Sequence, residues 1–327
     1  MECVQSHLVV QIITAATATG TAILEIFVVI VAAGLLVRRG VLTGAMVTAL
    51  STATVVLFLP CLIFDKIVSN FAADRLPYWW MLPLSAVAMA TVGLVAAAVL
   101  FARELPAKRN LLPLASIQNA GYLILPVGQA LYPGQFDEFA LYVSLFILGL
   151  NPVLWSVGKL LTTAGGHSRG GLRGLVNPPL IACLTALTVA LTGAGRFIPQ
   201  PILDAVELTG QGAVPVATVV LGAMLGGMRF RLGSRLWDAT RVLAVKYLVV
   251  PTVTVVVLML TGIGAANPLL ASFFILEAAA APAAGLVLQV RTYGGDETAI
   301  ASVMLASYAA CLVSLPLWLA VWEAAVH

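Results

Sequence analysis

Residues 110–133 read NLLPLASIQNAGYLILPVGQALYP, and residues 268–290 read PLLASFFILEAAAAPAAGLVLQV. Each stretch is long enough to cross a bilayer, which takes about 20 residues of helix. Each also carries helix breakers near its middle. In the first, Gly121 lets the chain leave helical geometry cheaply, and Pro126 clashes with the carbonyl of Tyr122 in a continuous helix. In the second, Pro282 follows Glu277 by little more than a turn. A simple kink would account for either stretch alone; as a pair they predict two broken helices. Each break creates a helix N-terminus at mid-membrane, with free N–H groups and a partial positive charge that favour an anion. These termini are expected just after Asn119–Gly121 and near Pro282–Ala283. The carbonyls that end the preceding halves favour a cation.

The rest of the chain fits a membrane setting. Of its 327 residues 61% are hydrophobic and 9% charged, with a mean hydropathy of +1.04. A soluble domain carries roughly 25% charged residues. In lipid only helices and closed barrels satisfy the backbone, and the apolar runs here are too long for barrel strands. The fold class expected is all-α: ten transmembrane helices near 18–37, 43–65, 78–102, 111–131, 138–161, 175–193, 203–227, 240–262, 268–291 and 298–323. Residues 8–17 either extend the first helix or lie at the interface. No basic leader precedes it.

With the loop after the first helix placed in the cytoplasm, thirteen of the 17 Lys and Arg residues fall on the cytoplasmic side and three opposite, with Lys246 inside the eighth helix. That asymmetry is what the positive-inside rule demands. It places both termini outside the cytoplasm, in a multi-pass protein of the plasma (inner) membrane. A hydrophilic cytoplasmic loop, 162–174, separates a first five-helix repeat (1–161) from a second (175–327). Five is odd, so the halves are inverted repeats, with their binding site expected between them. Matching prolines support the repeat: Pro60 with Pro215, Pro83 with Pro251, Pro126 with Pro282, and Pro152 with Pro316.

Glu277 is the deepest acidic residue of the second half. A carboxylate in hydrocarbon is costly and faces a cavity as a rule, which makes Glu277 the candidate ion-coupling residue, for a proton or a sodium ion. Lys246 is expected to snorkel to the cytoplasmic interface. Glu25 is a weaker candidate. Asp204, Glu207 and Gln211 read as a wetted helix end, and Asn151 and Asn177, each before proline, as turn or helix-start residues. Gly222-x-x-x-Gly226 permits close helix packing. Cys3, Cys61, Cys183 and Cys311 have neither metal spacing nor a disulfide framework and read as packing residues.

Enzyme classes find no footing. Gly166–Gly170 fits Gly-x-Ser-x-Gly formally, but in a short basic loop without the strand–turn–helix context. The histidines His7, His167 and His327 lie in no helix core. No metal site, no cofactor and no nucleic-acid partner is expected; the partners are the bilayer and a small organic anion, with a homodimer left open.

Four stretches resemble the auxin efflux carrier family, whose members include plant auxin exporters and bacterial carriers of malonate- and malate-like acids. They are Gly34–Thr43, Phe58–Phe64 around Pro60, Gln118–Pro126, and Ala279–Pro282 with Tyr293–Asp296. Asn177–Pro179 and Lys246–Pro251 are also similar, and the likeness runs nearly the whole chain in order. It implies a scaffold group of helices and a mobile transport domain, with the fourth and ninth helices crossing at the site. It makes Asn119 a substrate-contacting residue beside Pro126, with Pro282 opposite. Gln118 and Ala120 stand where the family has Gly and Thr. Together, residues and resemblance nominate Asn119, Gln118, Gly121, Tyr122, Pro126, Pro282 and Ala283 for substrate binding by alternating access. A sodium-coupled symporter of the related bile-acid fold, or a non-transporting sensor with this fold, are the competing readings.

Overall fold

The computed structural model describes residues 2–163, 176–231 and 233–326, those before Gly20 by their backbone alone. Among the described residues the secondary structure is helical, without a strand. The main elements are α1 (Glu2–Arg38), α2 (Gly44–Asn70), α3 (Met81–Leu100), α4 (Leu112–Ser116), α5 (Ala120–Leu131), α6 (Pro133–Thr162), α7 (Pro178–Thr192), α8 (Gln200–Gly226), α9 (Leu236–Thr261), α10 (Pro268–Ala278), α11 (Gly285–Tyr293) and α12 (Glu297–Val326). Seven described helices are long and apolar enough to cross a bilayer, while α5, α7 and α10 are shorter apolar helices. Exposed Leu24, Val28, Val99, Leu260 and Val313 give the helices an apolar outer face, which only lipid accommodates. The chain is an integral, multi-pass membrane protein.

Residues 8–17 continue α1 rather than leave it. The connecting loop expected at 162–174 lies outside the described residues from 164 onward, and so do His167, the Gly-x-Ser-x-Gly pattern and the side chains of Cys3 and His7.

Three prolines share one device. Pro60, Pro126 and Pro251 each follow, by two residues, a π-helical turn: Thr54–Phe58, Ala120–Ile124 and Val245–Val249. Each turn is closed by an N–H donating to the carbonyl five residues back: Leu59 to Thr54, Leu125 to Ala120, Val250 to Val245. A proline ring clashes with the carbonyl four residues before it, and the wider turn relieves that clash without ending the helix. Such bulges gather at functional sites. Here they hold Val55, Gly121, Tyr122 and Lys246.

α1 lies along α8, α2 along α7, and α3 along α6. The α1–α8 approach is glycine-mediated: Gly222 abuts the backbone of Ile30, and Gly226 that of Gly34. The sequence motif supplies one side of that contact; Gly34 supplies the other.

Candidate functional site

α4 ends at Ser116 and α10 at Ala278, and the unwound residues that follow pair with each other. Gln118 and Pro282 sit opposite one another in antiparallel register. The Asn119 N–H donates to the Ala281 carbonyl and the Ala283 N–H to the Ile117 carbonyl, both at 3.1 Å. These bonds satisfy backbone groups that lipid could not. Pro282 causes the second break directly, because it has no N–H and biases Ala281 away from helix. The first break has a different cause from the one read in the sequence. It falls at Ile117–Asn119, well before Pro126, which sits in the first helical turn after the π-turn, where proline is tolerated. Gly121 is not at the break either: it lies inside the π-turn, and a Cβ there would meet the Leu59 side chain at an ordinary 3.4 Å. The residue opposite Pro282 is Gln118.

Asn119 is the N-cap of α5. Its side-chain oxygen accepts from the Tyr122 N–H at 3.4 Å, as amide side chains do at helix starts. Its Nδ2 donates to the Tyr308 hydroxyl at 2.5 Å, and that hydroxyl donates to the Pro282 carbonyl at 3.0 Å. Two N–H groups that the sequence offered to an anion, those of Tyr122 and Ala283, are therefore used by the protein itself. The first N–H groups of a helix have no intrahelical partner, so the donors left at the two starts are those of Ala120 and Gly121, and of Ala284 and Gly285.

All four of those residues line a cavity that opens at the pairing. Gln118, Asn119, Tyr122 and Ala283 line it too; Pro126, Pro282 and Glu277 do not. Opposite stand Asn151 and Asn177, joined by an Asn151 Nδ2 to Asn177 Oδ1 hydrogen bond of 3.3 Å. Asn177 is the helix start expected of it, accepting from the Leu180 N–H at 3.0 Å, but both amides also face the cavity. The available signal was their chemistry: an amide inside an apolar span is costly unless it has a task. Apart from Ser51, the remaining wall is apolar, with Leu59, Ile147, Leu150 and Trp155. Among the described residues no charged side chain lines the cavity.

Glu277 and Lys246 are fully buried nearby, each 0% exposed. Lys246 therefore does not snorkel, because its α9 turn faces the protein interior rather than the membrane surface. The other candidates lie apart. Glu25 is exposed on α1. Asp204 and Glu207 border a separate polar depression with Asp65, and Gln211 is exposed. Cys183 and Cys311 are buried free thiols that donate to the carbonyls of Ser144 and Ala279.

A family model described as membrane transport protein matches residues 19–169 and 167–319, nearly the whole chain. The chain is similar to PIN-LIKES 1 of Arabidopsis thaliana, 31% identical over an alignment of 160 residues that covers 45% of this chain and 33% of that protein. It is also similar to PIN-LIKES 3 of the same plant, 27% identical over an alignment of 158 residues that covers 45% of this chain and 40% of that protein. The matched part thus spans a third to two fifths of those relatives' length.

Proposed function

The chain belongs to the membrane transport protein family, that of the auxin efflux carriers, and from that premise we propose that it is a secondary transporter of a small organic anion, a carboxylate. The single observation carrying this reading is the cavity where α5 and α11 begin. The residues that begin the two helices, Ala120 and Gly121 and Ala284 and Gly285, line it, with Asn119, Asn151 and Asn177 around them. This is how a site without a cationic side chain holds an anion. Its apolar wall suits the body of an organic acid.

The reading extends to the whole chain. The ten helical segments form two inverted five-helix repeats, 1–161 and 175–327, with α4–α5 and α10–α11 as the broken crossover pair. Packing supports this: α1 lies on α8, and α7, which replaces α1 when the halves are exchanged, lies on α2. The antiparallel pairing of Gln118 with Pro282 is the contact expected at the axis of such a repeat. Transport proceeds by alternating access, and Glu277 is the ion-handling residue.

Both termini face away from the cytoplasm, in the plasma (inner) membrane. Four of the thirteen cationic residues that the positive-inside rule assigns to the cytoplasm are ion-paired: Lys108 with Asp238, Arg241 with Glu104 and Asp238, Arg235 with Asp296, and Arg291 with Glu297. In a background with the four native cysteines replaced, a single cysteine placed within 162–174 is expected to be shielded from an impermeant thiol reagent in intact cells. Strong labelling there reverses the orientation.

The function is tested in proteoliposomes with a panel of labelled mono- and dicarboxylates, with and without sodium and pH gradients. Saturable uptake of at least one acid, competed by its analogues, is the expected result. Uptake of none, in protein shown to be folded, contradicts the transport reading.

A further inference from the structure

Four cytoplasmic arginines gather without a counter-charge. Arg38 and Arg39 end α1, and Arg229 and Arg231 follow α8. All four are exposed and form no ion pair among the described residues. α1 and α8 run parallel, since Gly222 meets Ile30 and Gly226 meets Gly34, so the four lie at one end of this helix pair. On the orientation proposed above, the described acids of that side are Glu104, Asp238, Asp296 and Glu297. Each is already paired with Lys108, Arg235, Arg241 or Arg291.

Beside these arginines a groove of about 330 Å³ lies between α1, α8 and α12. Phe27 and Arg38 mark its ends on α1, eleven residues apart, or about 16 Å along a helix axis. That is about half the thickness of the hydrocarbon core, the depth of one leaflet. Leu35 on its rim is 47% exposed, and Ala309 on the facing α12 is exposed, so the groove opens sideways to lipid. Among the described residues Arg38 is the charged side chain that lines it. The Arg38 Nε donates to the Gly226 carbonyl at 3.4 Å, which holds the guanidinium at the mouth of the groove. Tyr308 also lines the groove. Its hydroxyl accepts from Asn119 and donates to the Pro282 carbonyl, so the groove backs onto the crossing.

We propose that this groove is a binding site for an anionic phospholipid of the cytoplasmic leaflet. One acyl chain lies along α1 and α12, and the phosphate sits at Arg38, with Arg39, Arg229 and Arg231 around it. Charge complementarity selects this occupant. An apolar groove alone takes a neutral lipid equally well, whereas four unpaired arginines at its mouth favour a negative headgroup. Guanidinium and phosphate form strong, often bidentate hydrogen bonds, and basic pockets between helices on the cytoplasmic side hold such headgroups. The bound chain fills the space behind Tyr308 and steadies the crossing of α5 and α11 without entering the anion's cavity. The site is separate from that cavity, and its test needs no transported acid.

The test is the melting temperature of the purified full-length protein in a neutral detergent, with dioleoylphosphatidylglycerol, dioleoylphosphatidylcholine or inorganic phosphate added. Phosphatidylglycerol is expected to raise it saturably, by roughly 3 °C or more; phosphatidylcholine at the same mole fraction and inorganic phosphate leave it unchanged. Arg38→Gln, at an exposed position, melts near the wild-type temperature without lipid and loses at least half of the phosphatidylglycerol shift. Ala309→Phe fills the groove with every arginine in place and loses the shift as well. Arg103→Gln removes an exposed, unpaired arginine away from the groove and keeps it. Should Arg38→Gln fail to fold, Ala309→Phe and the comparison of lipids still decide. Equal shifts with both lipids would leave an unselective lipid annulus, and a shift with inorganic phosphate a free-anion site. A full shift in Arg38→Gln and Ala309→Phe would place the lipid elsewhere. A dimer seen by light scattering in lipid-free wild type and lost in Ala309→Phe would give the groove to a second copy of the chain. Each of these results overturns the proposal.

Discussion

Asn119→Ala is expected to weaken binding of the transported acid by about ten- to a hundredfold. A hydrogen bond to a charged group contributes roughly 1.5–3 kcal/mol, and each 1.4 kcal/mol is about a factor of ten. Asn119 lines the cavity at the start of α5. Its Nδ2 carries two hydrogens, of which the Tyr308 hydroxyl takes one; the second is available to the ligand. The same substitution removes the cap on the Tyr122 N–H and loosens the helix start whose N–H groups face the anion. Loss of such a cap costs about 1 kcal/mol, so a modest fall in stability accompanies the binding defect. Tyr308 keeps its bond to the Pro282 carbonyl, and the crossing therefore stays assembled. Equilibrium binding and melting of Asn119→Ala beside the wild type measure both effects. Asn151→Ala, which removes an amide from the opposite wall, is expected to cost a few-fold, in line with a neutral hydrogen bond of roughly 1 kcal/mol. Normal binding by folded Asn119→Ala would place the anion elsewhere.

Gly222→Val is expected to damage the fold severely. A Cβ at Gly222 would lie 2.3 Å from the Ile30 carbonyl oxygen and 2.7 Å from its Cα. Both atoms are backbone of α1, so no side-chain rotation relieves the clash. The helices must move apart, and the Gly226–Gly34 contact one turn along, where a Cβ would approach to 2.4 Å, opens with them. Overpacking of this kind costs about 3 kcal/mol or more, a fall in melting temperature of roughly 6–12 °C. Gly20→Ala is the control, since a Cβ there meets nothing within 4 Å. It should melt at or slightly above the wild-type temperature, because alanine favours helix over glycine by up to about 1 kcal/mol. Equal melting of Gly222→Val and the wild type would show that α1 and α8 are not held together at this contact.

Much of the molecule is written in local sequence. Composition and run length determine membrane-spanning helices, because a backbone in lipid must satisfy its own hydrogen bonds whatever its neighbours are. The interruption at Pro282 is legible for the same reason, since a proline without an N–H acts on the residue before it, whereas the first interruption, expected from Gly121 and Pro126, falls instead at Ile117–Asn119. Five of the seven nominated residues, Gln118, Asn119, Gly121, Tyr122 and Ala283, line one cavity, whereas Pro126 and Pro282 do not. Tertiary structure decided the rest. The register that sets Gln118 against Pro282 depends on bonds between segments more than 150 residues apart. The loss of the Ala283 N–H to the Ile117 carbonyl depends on that register. The burial of Lys246 and of Glu277 depends on how α9 and α10 are turned toward α12. Asn151 and Asn177 face a shared cavity only because α6 and α7 meet there. Hydropathy and helix breaking are properties of a few consecutive residues, whereas a polar group's partner is chosen by packing among helices far apart in the chain.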